Sequence, residues 1–106
     1  MTGLRPIHWA ASEGHVRCLE RLLELGVDRD PRDKSGMTPL LCGAWYGHLD
    51  VVRYLVEEAG ADPRLRADQG ATPLDTAACA GDLEVVRYLI EERGMDPTKV
   101  NKQVRR

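Results

Sequence analysis

Thr38-Pro39-Leu40-Leu41-Cys42-Gly43-Ala44, followed after two residues by Gly47-His48, organises the whole chain, because it occurs three times. Downstream it reads Thr72-Pro73-Leu74-Asp75-Thr76-Ala77-Ala78, then Gly81-Asp82. Upstream it reads Arg5-Pro6-Ile7-His8-Trp9-Ala10-Ala11, then Gly14-His15. The prolines are spaced 33 and 34 residues apart, and Gly14, Gly47 and Gly81 keep that spacing. Gly26, Gly60 and Gly94 follow at intervals of 34. The second halves of the last two copies nearly coincide, Val51-Val52-Arg53-Tyr54-Leu55 against Val85-Val86-Arg87-Tyr88-Leu89. Self-similarity at this period is the mark of a repeat architecture, in which each unit buries its apolar face only against a neighbour.

Each copy has a local physical reading. Thr38 and Thr72 sit at N-cap positions, and Pro39 and Pro73 sit at the first helical position, where the missing N–H is no loss. Asp75, three residues after Thr72, is placed to complete a capping box. The spacing predicts a short helix from there to about Cys79, whose pair Ala77-Ala78 lets neighbouring helices approach closely. Gly81 breaks it. A second helix is predicted from about Leu83 to Glu92, with Val85, Val86, Leu89 and Ile90 on one face, and Gly94 suits the left-handed residue that closes a helix. The polar stretch from Asp28 to Met37 reads as a hairpin-like loop between copies.

With these residues in view, the chain resembles the ankyrin-repeat family, which has a 33-residue period, a turn plus two helices, and a Thr-Pro-Leu-His-x-Ala signature. The resemblance runs from Gly3 to about Asn101. It implies an all-α solenoid of three helix-turn-helix repeats joined by hairpin-like loops. The chain is then one domain, 1–106, with repeats at about 3–32, 33–66 and 67–100 and a basic tail at 101–106. Departures from the family pattern carry their own expectations. Arg5 stands in place of the capping Thr, so the first helix starts less firmly. The signature His survives only as His8. Gly43 takes an alanine position, at an expected cost of about 1 kcal/mol. Ala59 and Arg93 are extra residues that either lengthen the second helix by a third of a turn or relax its end.

The resemblance also implies the function. A solenoid leaves an extended concave surface for binding, so the expectation is a protein–protein interaction module without catalysis. Family contact positions, carried over residue by residue, are the hairpin tips and the first-helix residues just before the Gly. The candidates are Trp45 and Tyr46 as anchors, with Lys34, Met37, Arg66 and Gln69 around them; Trp and Tyr are enriched among interface hot spots. Trp9 is expected to pack inside, as a large Trp usually does. The resemblance puts Cys18 on a buried face and Cys79 on an exposed one. It assigns His15 and His48 to backbone bonds that hold the turn between helices. The alternative is an assembly segment that stacks on further repeats or self-associates through its end repeats; otherwise the expected state is a monomer.

Composition narrows the remaining classes. With 15 Lys and Arg against 17 Asp and Glu, the net charge is −2, which gives no general attraction to nucleic acid or anionic membrane. Apart from the chain end, where Lys99, Lys102, Arg105 and Arg106 cluster, basic residues are balanced by nearby acids. No run approaches the roughly 18 apolar residues of a membrane span. Three cysteines, an odd number, make no disulfide framework and point to a reducing compartment, cytoplasmic or nuclear. His8, His15, His48, Cys18, Cys42 and Cys79 lack the close ligand spacing of a metal site. No phosphate-binding glycine loop, nucleophile elbow or His-Glu-x-x-His helix occurs, so neither a cofactor nor an enzyme is expected. Phe is absent and aromatics are 5%, which suits a core of aliphatic residues and alanine.

Overall fold

A computed structural model describes residues 6–96. Gly3, Arg5 and the basic tail, on which three of the sequence expectations rest, lie outside the described residues. Three antiparallel helix pairs follow in order: α1 (Pro6–Glu13) with α2 (Val16–Glu24), α3 (Pro39–Trp45) with α4 (Leu49–Arg53), and α5 (Pro73–Ala80) with α6 (Leu83–Arg87). The described residues contain no strand. The helix starts follow from the capping chemistry. Thr38 Oγ1 accepts from the Leu41 N–H at 3.3 Å. Thr72 and Asp75 form the full reciprocal box, at 3.2 and 3.1 Å.

First helices stack side by side, α1 on α3 and α3 on α5, and each second helix backs its own partner. The core therefore runs along the stack. Ile7, Leu19, Leu40, Val51, Val52, Leu55, Val85 and Leu89 fill it, with Ala11, Ala44 and Ala77 where helices approach most closely. The aliphatic core explains how the fold forms without Phe.

Ala59 and Arg93 produce neither a longer α-helix nor a loose end. Helix α4 widens into a π-helical turn over Tyr54–Glu58, and α6 does the same over Tyr88–Glu92. The extra residues close these turns: Ala59 N–H donates to Tyr54 carbonyl at 3.1 Å and Arg93 N–H to Tyr88 carbonyl at 3.2 Å, five residues back. In α2, which has no extra residue, Leu25 N–H donates four residues back to Arg21 at 3.0 Å. One residue is thus absorbed as a single π turn, the usual form in which π-helix occurs. The second π turn holds buried Tyr88, whose hydroxyl donates to Glu57 at 2.6 Å while the Arg53 guanidinium lies 5.1 Å from its ring centre. Burial, then the Glu57 carboxylate, hold the Tyr88 hydroxyl protonated well above the usual tyrosine range.

Gly43 overturns its expectation. A Cβ there would lie 2.7 Å from Val51 Cγ1. Glycine is what lets α3 sit this close to α4, and the stiff, β-branched Val51 cannot turn aside. Gly43→Ala should lower stability by about 1 kcal/mol, because overpacking of 1–3 kcal/mol exceeds the gain in helix propensity. Urea unfolding followed by circular dichroism measures it; a stabilised variant would contradict the steric reading.

Candidate partner-binding groove

Two loop hairpins stand beside the first helices. In the first, Asp33 N–H donates to Met37 carbonyl at 3.0 Å, and Asp33 Oδ1 accepts from the N–H groups of Ser35 and Met37 at 2.9 and 3.0 Å. In the second, Ala67 N–H donates to Ala71 carbonyl at 2.9 Å. The hairpins are tied to each other. Arg32 Nη1 donates to the Gly36 carbonyl at 2.7 Å and across to the Arg66 carbonyl at 2.6 Å. Gly36 has φ +76°, and a Cβ on it would overlap Asp68, so the close stacking requires glycine there. Buried His8 ties the first hairpin to α1: its Nε2–H is shared between the carbonyls of Pro31, at 2.8 Å, and Met37, at 2.9 Å.

Between the ends of α1 and α3 and the tips of these hairpins lies a groove of about 460 Å³. Trp9, Trp45 and Tyr46 line it with Met37 and Gln69, and buried Cys42 reaches it from α3. The rings are 57%, 45% and 58% exposed respectively, against 3% for Tyr88. The carboxylates Glu13 and Asp33 also line the groove, and among the described residues no Lys or Arg does.

Four of the six expected residues, Trp45, Tyr46, Met37 and Gln69, come together here. Lys34 is exposed on the hairpin but does not line the groove. Arg66 is turned into its own hairpin, donating to Gly70 carbonyl at 3.2 Å, and lines a different cavity at the far end of the stack. Trp9 is corrected from an internal ring to a groove ring. Its spacing of three and four from Ser12 and Glu13, both at contact positions, was the available signal; residue size pointed the other way. Cys18 is corrected as well: it is exposed, because among the described residues nothing lies against that side of α2. His48 behaves as expected, its Nε2–H donating to Ser12 carbonyl at 2.9 Å.

The three thiols are unpaired, and only Cys42 is buried. Burial first, opposed by a hydrogen bond with Ser12 and aided by the Asp33 charge, pushes the Cys42 thiol up to about 11. The thiolate is the reactive species. Near pH 8, Cys18 and Cys79 should therefore take up a thiol reagent together and first, with Cys42 reacting only on unfolding or well above pH 9. Mass mapping after brief alkylation reads the order, and early labelling of Cys42 would refute the packing described. No group of three His, Cys, Asp or Glu is gathered for a metal among the described residues, and no described helix is long and apolar enough to cross a membrane.

The family model for ankyrin repeats matches residues 7–56 and 46–90. The chain is 44% identical over 61 residues to human protein fem-1 homolog A, covering 52% of this chain and 9% of that protein. It is 36% identical over 55 residues to human protein phosphatase 1 regulatory subunit 27, covering 52% of this chain and 36% of that one. A probable E3 ubiquitin-protein ligase of rice, XBOS32, shares 41% identity over 51 residues, covering 48% of this chain and 10% of its own length. The matches thus span well under two thirds of each of these relatives.

Proposed function

The chain belongs to the ankyrin-repeat family, whose repeats are generally protein–protein interaction modules, and we propose that it is a non-catalytic binder of a partner protein. In this reading the partner lays an extended segment along the groove between the first helices and the hairpins. One observation carries it: three large aromatic rings, from two different repeats, stand exposed around a single groove. Rings left in water stabilise nothing in the fold, and covering them is worth about 25 cal/mol for each Å² of apolar area, before the costs of association. The carboxylates of Glu13 and Asp33 favour a segment that brings a Lys or Arg side chain with its apolar contacts, since cations are attracted both to carboxylates and to ring faces. The unpaired thiols suit a reducing compartment, cytoplasmic or nuclear.

A Trp45→Ala, Tyr46→Ala double variant, with native helix content, should lose partner capture from an extract of the source cells by at least tenfold, as expected for paired hot spots. A Leu83→Ala control, at an exposed residue of α6 outside the groove, should capture as the parent does. Equal capture by parent and double variant would remove the groove from the function.

A further inference from the structure

We infer, resting on the groove reading above, that the groove receives an arginine side chain of the partner in preference to a lysine. The rings concerned lie inside the stack. Helix α3 has α1 on one side and α5 on the other, yet Trp45 and Tyr46 at its end stay largely open to solvent. Glu13 ends α1 at the register position that Tyr46 holds one repeat on, 33 residues later. A carboxylate and an aromatic ring therefore stand at the same height on two helices packed side by side.

Along the second helices the chain pairs its own carboxylates with its own arginines. Arg21 meets Glu24 at 3.3 Å, Arg53 meets Glu57 at 3.8 Å and Glu92 at 3.4 Å, and Arg87 meets Glu91 at 3.7 Å. The two groove carboxylates are different: neither Glu13 nor Asp33 has an ion pair among the described residues. Asp33 uses Oδ1 for the N–H groups of Ser35 and Met37, which leaves Oδ2 to accept. The cations nearest in sequence, Arg32 and Lys34, do not line the groove, and Arg32 is held by the carbonyls of Gly36 and Arg66. The groove thus offers negative charge that nothing described in this chain neutralises.

The spacing suits one side chain that serves both groups. Packed helices lie about 8–10 Å apart. A cation within about 6 Å of a ring centre, donating a charge-assisted hydrogen bond of about 2.8 Å to a carboxylate, covers that distance. Guanidinium is planar, so it can lie flat on a ring while its edge donates in two directions, toward Glu13 on α1 and toward Asp33 on the hairpin. It is also weakly hydrated, so entering an open groove strips little water from it. An ammonium is a compact, strongly hydrated point charge and has neither advantage. Met37, on the same wall, gives the arginine methylenes an apolar surface to lie along.

The probe is the capped pentapeptide acetyl-Gly-Ala-Arg-Ala-Gly-amide, with Lys or citrulline in the central place for comparison. Citrulline keeps the planar shape of arginine and loses its charge. Binding to the full chain is read by NMR from the indole N–H signals of its two tryptophans. The arginine peptide should bind with a dissociation constant of about 2 mM, as for a single anchored side chain. The lysine peptide should bind about fivefold more weakly and the citrulline peptide about tenfold more weakly. Glu13→Gln and Asp33→Asn remove one charge each, and Asn keeps the oxygen that holds the hairpin. Each should weaken the arginine peptide about threefold and shrink its margin over citrulline by the same factor; a merely disturbed groove would weaken both peptides alike. Equal binding of the arginine and lysine peptides overturns the inference, as does equal binding of the arginine and citrulline peptides. So does an arginine peptide that leaves both indole signals unmoved at about 20 mM. Partner capture by the Trp45→Ala, Tyr46→Ala double variant at the parent's level would instead take away the groove reading itself, a failure the peptide titrations do not share.

Discussion

Leu55→Ala will destabilise the domain by about 3 kcal/mol, in the range found for leucine truncation in cores, while Trp45→Ala will cost less than about 1 kcal/mol. Leu55 has no exposed surface and sits in the first π turn, inside the central repeat of the stacked core. Truncation there leaves a cavity that repeats on both sides would have to collapse to fill. Trp45 is large but nearly half exposed, at the end of α3 beside the groove. Against a total stability of about 5–15 kcal/mol for a domain of ordinary size, the leucine change is a substantial fraction, and at about 4 °C or more per kcal/mol the thermal midpoint should fall by over 10 °C. Urea and thermal unfolding of the two variants decide between core and site. If Trp45→Ala unfolds the protein as severely as Leu55→Ala, Trp45 belongs to the core and the groove loses its anchor.

His8→Ala will cost a comparable amount, about 3 kcal/mol, through a different mechanism. The ring is fully buried, and its Nε2–H is shared between the carbonyls of Pro31 and Met37, 23 and 29 residues away in sequence. Removing it takes the donor from the Pro31 carbonyl, leaves the Met37 carbonyl only the Asp33 N–H, and opens a cavity between α1 and the first hairpin. The damage should be local as well as global. Amide exchange at Ser35 and Met37 should accelerate before that of Val51 and Val52, because the hairpin loses its tie to the helices. His8→Gln, which returns an N–H donor near the same place, should recover part of the loss. A His8→Ala protein within 1 kcal/mol of the parent would show that the hairpin is held without it.

The repeat phase was legible because it rests on residue types with few alternatives: Thr-Pro at a helix start, Gly at a helix end. Asp75 as the capping acid and His48 as a backbone donor followed from the same positions. The expectations that differ from the structure do so for separate reasons. Placing Cys18 on a buried face presupposes another repeat packed against α2, and none is described there. The size of Trp9 points inward, while its helical spacing points to the groove. Loop position alone points to Lys34 and Arg66, but a loop residue's direction depends on which carbonyls its side chain can reach, and Arg66 reaches Gly70. Helix propensity alone counts against Gly43, and the clearance to Val51, 2.7 Å from a would-be Cβ, is a tertiary fact that propensity does not contain. The groove's aromatic pair was legible; its third ring and its acidic lining needed the fold.

The two π turns separate the length of a repeat from its shape. An added residue is swallowed within one turn of the second helix, while among the described residues the groove is lined by first helices and hairpins. Units of 33 and 34 residues therefore stack with the same faces in contact. Such a turn acts as slack in the chain: the added residue is taken up in the second helix, on the back of the structure, away from the first helices and hairpins that line the groove.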